Sequence, residues 1–279
     1  MTTISQDAKL QESYNKALPA LSLVPTTAGT GSDGGKSAVI SMRNGRKLVF
    51  GHPSLMAPTV ALNPAYTVSM PARMTAATGV DALLHSLEAY FVTHAAAVND
   101  GLNEEEIGVT DGYALKGVKL ILDNLPKVMS HPKDLAARQQ MQIAALYGAK
   151  AFRKGDLGAV HATAHTIGAL YHLHHGEAIA RMTVPVFKYN EARASPETAK
   201  KFDNIRKIFN EHGYQGNSLS AAVASFLTSM KLPNGLQGLE HHNDWDNMAQ
   251  IASHDVCGTN PVKLTEADYK NIFIDAAKL

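Results

Sequence analysis

The stretch MTAATGVDALLHSLEAYFV, residues 74–92, decides the class of fold. Val80, Leu83, Leu84, Leu87 and Tyr90 recur at the spacing of one helix face, so the segment reads as a helix. The same period returns over 105–123, 132–152, 157–171, 176–190, 196–212, 219–230, 244–257 and 265–277. Ahead of Pro71 the pattern is different. Short apolar runs at 21–24, 37–41, 48–50 and 59–62 are bounded by Gly, Pro or Asn and read as strands of a small sheet. The expected class is α/β plus all-α, with a small α/β piece over residues 1–70 and a large all-helical domain over 71–279. There is no long low-complexity linker and no internal repeat.

Composition narrows the function. With 45% hydrophobic and 18% charged residues, the 279-residue chain is of globular type. Lys and Arg number 26 and Asp and Glu 25, a net charge of +1. That balance predicts no nucleic-acid footprint and no anionic-membrane patch. The longest run without Lys, Arg, Asp or Glu, residues 48–72, holds Pro53, Pro58, Pro64 and Pro71, which do not suit a spanning helix. The first residues, MTTISQDAKL, lack the apolar stretch of a signal peptide, so a cytoplasmic protein is expected. The only cysteine is Cys257, read as a buried thiol at the end of a helix. One thiol makes neither an internal disulfide nor a thiolate zinc cluster, so a metal here is held mainly by His, Asp or Glu.

Histidine is where the chemistry concentrates: five of 13 lie between His161 and His175. Asp81 and His85, four apart, share one face of the 74–92 helix. On a solvated helix they would be an ordinary surface pair. The small apolar flank Thr75–Val80 instead suggests burial, and a buried carboxylate needs a partner. His161 and His165 repeat the spacing on a helix of Ala, Val, Ile, Leu and Gly, and His172, His174 and His175 follow within one loop. Three or four N/O ligands without sulfur suit Fe(II), Zn(II), Mn(II) or Ni(II), and the ligand types do not choose among them. Position 162 is Ala, so the Glu of an H-E-x-x-H protease is missing. No Glu or Asp base is evident beside the His cluster, which weighs against a metal-dependent lyase or hydrolase. The turn Pro25-Thr26-Thr27-Ala28-Gly29-Thr30-Gly31-Ser32 follows a strand and offers hydroxyls and close backbone approach, but it is neither a Walker A loop nor a G-x-G-x-x-G fingerprint. His52, His94 and the pair His241-His242 read as loop or surface residues.

Together PTTAGTGSD (25–33), TAATGVDALLHSLEAY (75–90) and LGAVHATAHTIGALYHLHHGEAIA (157–180) resemble the iron-containing (group III) alcohol dehydrogenase family. The tail around His254-Asp255-Val256-Cys257 and Asn260-Pro261 is similar to that family's closing helices. The resemblance implies metal ligands at Asp81, His85, His161 and His175, with Fe(II) bound and Zn(II) or another divalent ion as a substitute. It implies that His165 relays a proton or places substrate and nicotinamide. It implies NAD or NADP contacts at Thr26, Thr27, Gly29, Thr30 and Lys47, hydride transfer between a small alcohol and its aldehyde, and a homo-oligomer such as a dimer. The fold it implies is a remnant of a Rossmann-like α/β domain followed by the large helical metal-binding domain. Three departures stand out. His174 occupies a position where many members have Pro, Asp33 replaces Glu, and no GGGS-type pyrophosphate loop occurs; Ser5–Lys9 only faintly resembles the sequence after that loop. The resemblance thus implies most of the nucleotide-binding domain to be lacking and activity impaired by that truncation. The alternative is an inactive or non-redox metal-binding helical protein.

Overall fold

The computed structural model describes residues 21–41, 47–100, 103–239, 244–255, 257 and 259–279. Ser5–Lys9 and His241-His242 lie outside these residues. Among the described residues, four short strands precede the helices: β1 (Ser22–Leu23), β2 (Ser37–Ser41), β3 (Lys47–Gly51) and β4 (Thr59–Val60). They form two separate pairs rather than the single small sheet expected. β1 runs parallel to β4, with Ser22 opposite Thr59. β2 and β3 are antiparallel, with Val39 opposite Val49.

The helices are α1 (Ala72–Asp100), α2 (Glu104–Ser130), α3 (Leu135–Gly155), α4 (Ala159–Leu170), α5 (His175–Glu191), α6 (Pro196–Glu211), α7 (Leu219–Ser229), α8 (Trp245–Ser253) and α9 (Glu266–Ala276). Their starts follow local chemistry. Asn103 and Glu106 close a capping box on α2, Asp134 accepts from the Ala137 amide at α3, and Ser195 with Pro196 starts α6. α2 runs past the expected end at residue 123 and through Pro126. Leu125 and Val128 are buried beyond that point, and their burial offsets the hydrogen bond that proline removes. α8 is shorter than expected: it stops at Ser253, and His254 and Asp255 leave it in a turn. Cys257 is buried as expected, but beyond the helix rather than at its end.

α1 is the centre of the fold. Val80, Ala82, Leu83, Leu84 and Leu87 are fully buried, because α2, α3 and α5 cover its different faces. Residues 75–92 of this helix are all buried, and a stretch without a solvated face has to be apolar nearly all round. The polar residues it buries therefore stand out: Thr75, Thr78 and Ser86, and above all the ionisable Asp81, His85 and Glu88. Gly176 lets the start of α5 meet α1: a Cβ there would lie 2.2 Å from the Ala77 carbonyl oxygen. That close approach brings His175, its neighbour, to the Asp81 turn of α1. Among the described residues no helix is long and apolar enough to cross a membrane. The architecture is a small strand-bearing N-terminal piece leading into a large helical domain.

Candidate metal centre

α1 supplies Asp81 and His85, α4 supplies His161 and His165, and α5 begins with His175. Ligand atoms of Asp81, His161 and His175 all lie within 4.8 Å of one another. Asp81 Oδ1 is 3.3 Å from His175 Nε2 and 3.8 Å from His161 Nε2. Two ligands roughly 2.1 Å from one tetrahedral ion stand about 3.4 Å apart, so the spacing suits a shared cation. Asp81 Oδ1 and His161 Nε2 are fully buried and make no hydrogen bond. An unpaired buried polar atom is costly. Two of them facing each other are explained by an ion between them, and the donor set, one carboxylate oxygen with imidazole nitrogens, fits a divalent metal.

His85 completes the cluster without joining the three-atom group. Its ring centroid lies 4.5 Å from that of His161, while its Nδ1 is 2.8 Å from the Asp81 carbonyl oxygen. The Nδ1 proton is held by the backbone, so Nε2 is the ring nitrogen with a lone pair to give.

Neighbouring groups hold these ligands. Thr30 Oγ1 donates to Asp81 Oδ2 at 3.1 Å, which leaves Oδ1 as the free oxygen. The turn 26–30 thus lies against the metal cluster. Gly29 is buried there, and a Cβ on it would come 3.2 Å from Asp81 Oδ2. Thr26 and Thr27 are exposed. Gly31, with φ +63°, turns the chain where a Cβ would lie 2.4 Å from the Ala145 carbonyl oxygen. The backbone of Lys47 begins β3; its side chain lies outside the described residues.

Sequence reasoning missed two carboxylates. Glu88, seven residues beyond Asp81 and also buried on α1, accepts a very short hydrogen bond from His161 Nδ1. Its other oxygen accepts the Val160 amide at 2.8 Å, capping the start of α4. One carboxylate therefore anchors the helix and turns the Nε2 of His161 towards Asp81. Asp255, in the turn after α8, accepts from His165 Nδ1 at 3.1 and 3.2 Å and from the Cys257 amide at 2.9 Å. The expectation that no acid stands beside the His cluster is corrected: both Glu88 and Asp255 do. Both are engaged by histidines, which gives them an orienting role. The signal for Glu88 was a Glu on the same buried helix as two suspected ligands.

The electrostatics follow from burial and pairing. Burial alone would raise the Asp81 carboxyl, but His85, His161 and His175 outweigh it and hold it well below the usual range. Burial pushes His85 down to about 3, against the opposing pull of Asp81. His161 is likewise penalised by burial, yet Glu88 and Asp81 push it up to about 9. Burial lowers His165 despite Asp255, so its imidazole is neutral near pH 7. Its ring stacks on His175 at 5.4 Å, placing it at the edge of the cluster. His174 caps the start of α5 through its backbone, and His172 adopts φ +53° in the preceding turn.

Comparison with known proteins gives a consistent result. Residues 75–277 match the family described as "Fe-containing alcohol dehydrogenase family, C-terminal". The probable alcohol dehydrogenase EutG of Salmonella typhimurium is 32% identical over 99% of this chain and 67% of its own length. The 1,3-propanediol dehydrogenase of Citrobacter freundii is 33% identical over 95% of this chain and 67% of its own. The crystal structure of a 1,3-propanediol oxidoreductase superposes with a TM-score of 0.78 at 31% identity, over 94% of this chain and 67% of that one. The chain spans between 56% and 67% of the length of such relatives. On the match over 75–277 and the identity across nearly its whole length, the chain belongs to the iron-containing alcohol dehydrogenase family.

Proposed function

We propose that this chain carries the metal-binding half of a nicotinamide-dependent alcohol dehydrogenase that interconverts a small alcohol and its aldehyde. The observation that carries the reading is the buried, unpaired pair Asp81 Oδ1 and His161 Nε2, with His175 beside them. Asp81, His85, His161 and His175 would hold one divalent ion, iron by family membership, with zinc as a substitute. Residues 71–279 form the metal-binding domain in this reading, and residues 1–70 a partial nucleotide-binding one. The names of the relatives, from 1,3-propanediol dehydrogenase to long-chain-alcohol dehydrogenase, support an alcohol and its aldehyde as the substrate class without fixing the chain length.

When bound, the ion would polarise the substrate oxygen as a Lewis acid while NAD or NADP exchanges the hydride. The residues of the chain do the rest. Glu88 holds the Nδ1 proton of His161, so that Nε2 presents its lone pair. Thr30 pins Oδ2 of Asp81, so that Oδ1 faces the histidines. His165 is the proton carrier: Asp255 engages its Nδ1, leaving Nε2 to take the alcohol proton in one direction and return it in the other. The hydroxyls of Thr26 and Thr27, Gly29, Thr30 and, from β3, Lys47 are the proposed nicotinamide-dinucleotide contacts. Thr30 links that turn to the metal cluster through Asp81.

Two measurements test this reading. Metal analysis of the iron-loaded chain should give one ion per chain, and His161→Ala should abolish it; one-to-one metal retained in the variant overturns the ligand set. Nicotinamide fluorescence should then show micromolar NADH or NADPH binding. Absence of binding with metal retained rejects the redox reading in favour of a metal-binding protein without hydride chemistry.

A further inference from the structure

A second group of metal-binding side chains stands next to the first. Ligand atoms of His165, Asp255 and Cys257 lie within 4.8 Å of one another. Asp255 and Cys257 come from the turn after α8, and His165 from α4. The elements are tied together: His165 Nδ1 bonds both Asp255 oxygens, and Asp255 Oδ1 accepts the Cys257 amide. Cys257 is 6% exposed, and Asp255 and His165 are partly accessible, at 14% and 15% of their side chains. Nitrogen, oxygen and sulfur donors are thus grouped together, with limited access to solvent through His165 and Asp255.

We propose that His165, Asp255 and Cys257 form a second cation site, selective for zinc, whose occupation shuts down proton transfer at His165. The donor sets of the two clusters sort the metals. Asp81, His85, His161 and His175 offer only nitrogen and oxygen, whereas the second cluster offers a thiolate, which favours zinc over harder ions. Three protein ligands leave a fourth position for water. Binding is a ligand exchange without redox change. The sulfur–metal bond forms as the thiol proton leaves to solvent. In the metal-free chain that proton is retained, since burial and the nearby Asp255 and Glu88 raise the thiol well above its ordinary range.

The functional consequence comes from the tautomer. His165 Nδ1 faces Asp255, so it is the nitrogen a zinc ion would take. Coordination at Nδ1 displaces the proton held there against Asp255, and the neutral ring takes a proton back from solvent at Nε2. Nε2 then has no lone pair with which to accept the proton of an alcohol. This inhibitory step rests on the proposed role of His165; the binding site itself does not.

Cobalt substitution tests the site on the full chain. Apo-protein is titrated anaerobically with Co(II) while its absorption spectrum is followed. Filling of the first cluster gives weak visible d–d bands and no sulfur signal, because it contains no thiolate. Filling of the second adds a near-ultraviolet thiolate-to-cobalt charge-transfer band. Since Cys257 is the only cysteine in the chain, that band has one possible origin. Cys257→Ser should lose the charge-transfer band and keep the first-site bands; Cys257→Ala serves if the serine hydroxyl disturbs the buried position. His161→Ala should do the reverse, which separates failure of this proposal from failure of the first site. Absence of a charge-transfer band at several equivalents of Co(II), in a chain whose first site fills, overturns the proposal.

Discussion

Glu88 does two jobs with two oxygens: one caps α4 at Val160, and the other holds His161 Nδ1. Both partners are lost or weakened when the carboxylate is removed, but an amide of the same shape keeps the packing. Glu88→Gln should therefore fold and bind metal about 10–100-fold more weakly, the usual cost of losing an orienting partner. Competition with a chelator of known affinity measures this; unchanged affinity would show that His161 is held by α4 alone. Asp255 stands to His165 as Glu88 stands to His161. Each histidine of α4 is thus oriented by a carboxylate from another element, and the two carboxylates differ in depth, Glu88 being buried and Asp255 partly open.

At the scale of elements, α9 offers a pH-dependent test away from the metal. Thr265 and Asp268 form a capping box, and Tyr189 of α5 also donates to Asp268 at 2.5 Å. The Thr265 hydroxyl first, and Tyr189 next, hold the Asp268 carboxyl below its ordinary range. A depressed folded-state pKa contributes stability above the unfolded-state value near pH 4, and that contribution vanishes as the pH falls through the lower folded value. Asp268→Asn should thus be less stable than the parent at pH 7, by under about 1 kcal/mol since the group is solvent-screened. The gap should close on acidification below about pH 4. Urea unfolding at both pH values checks it; a gap independent of pH would assign the loss to packing. The helix periods and the strand over 37–41 were legible in the sequence, because these are local properties. The early end of α8 was not: the apolar pattern ran on to Cys257, whereas the turn there answers to Asp255 bonding His165 in α4.

At the scale of the molecule, the metal cluster joins α1 with α4 and α5, and two intervening helices separate α1 from α4 in the sequence. An ion bound there belongs to the folded state only, since the unfolded chain scatters its ligands. Metal at about a hundred times its dissociation constant would add roughly 2.7 kcal/mol of stability. Chelation of the metal-loaded protein should lower Tm, and re-addition of Fe(II) or Zn(II) should restore it. A Tm indifferent to chelation would place the ion elsewhere or mean that none is bound.

What the sequence determined by itself was the inventory: helices from their period, a strand-bearing N-terminal piece, and candidate ligands from Asp81/His85 and His161/His165 sharing helix faces. Periodicity can do this because four residues advance a helix by about one turn. What only the tertiary structure decided was which atoms face which. Glu88 meets His161 across 73 residues and Asp255 meets His165 across 90. No local rule spans such separations. They depend on how helices pack, and here on a glycine at 176 that lets α5 touch the backbone of α1. The histidines could be read as possible ligands, but for His85, His161 and His165 the nitrogen left to present was set by the carboxylate or carbonyl on the other side of the ring.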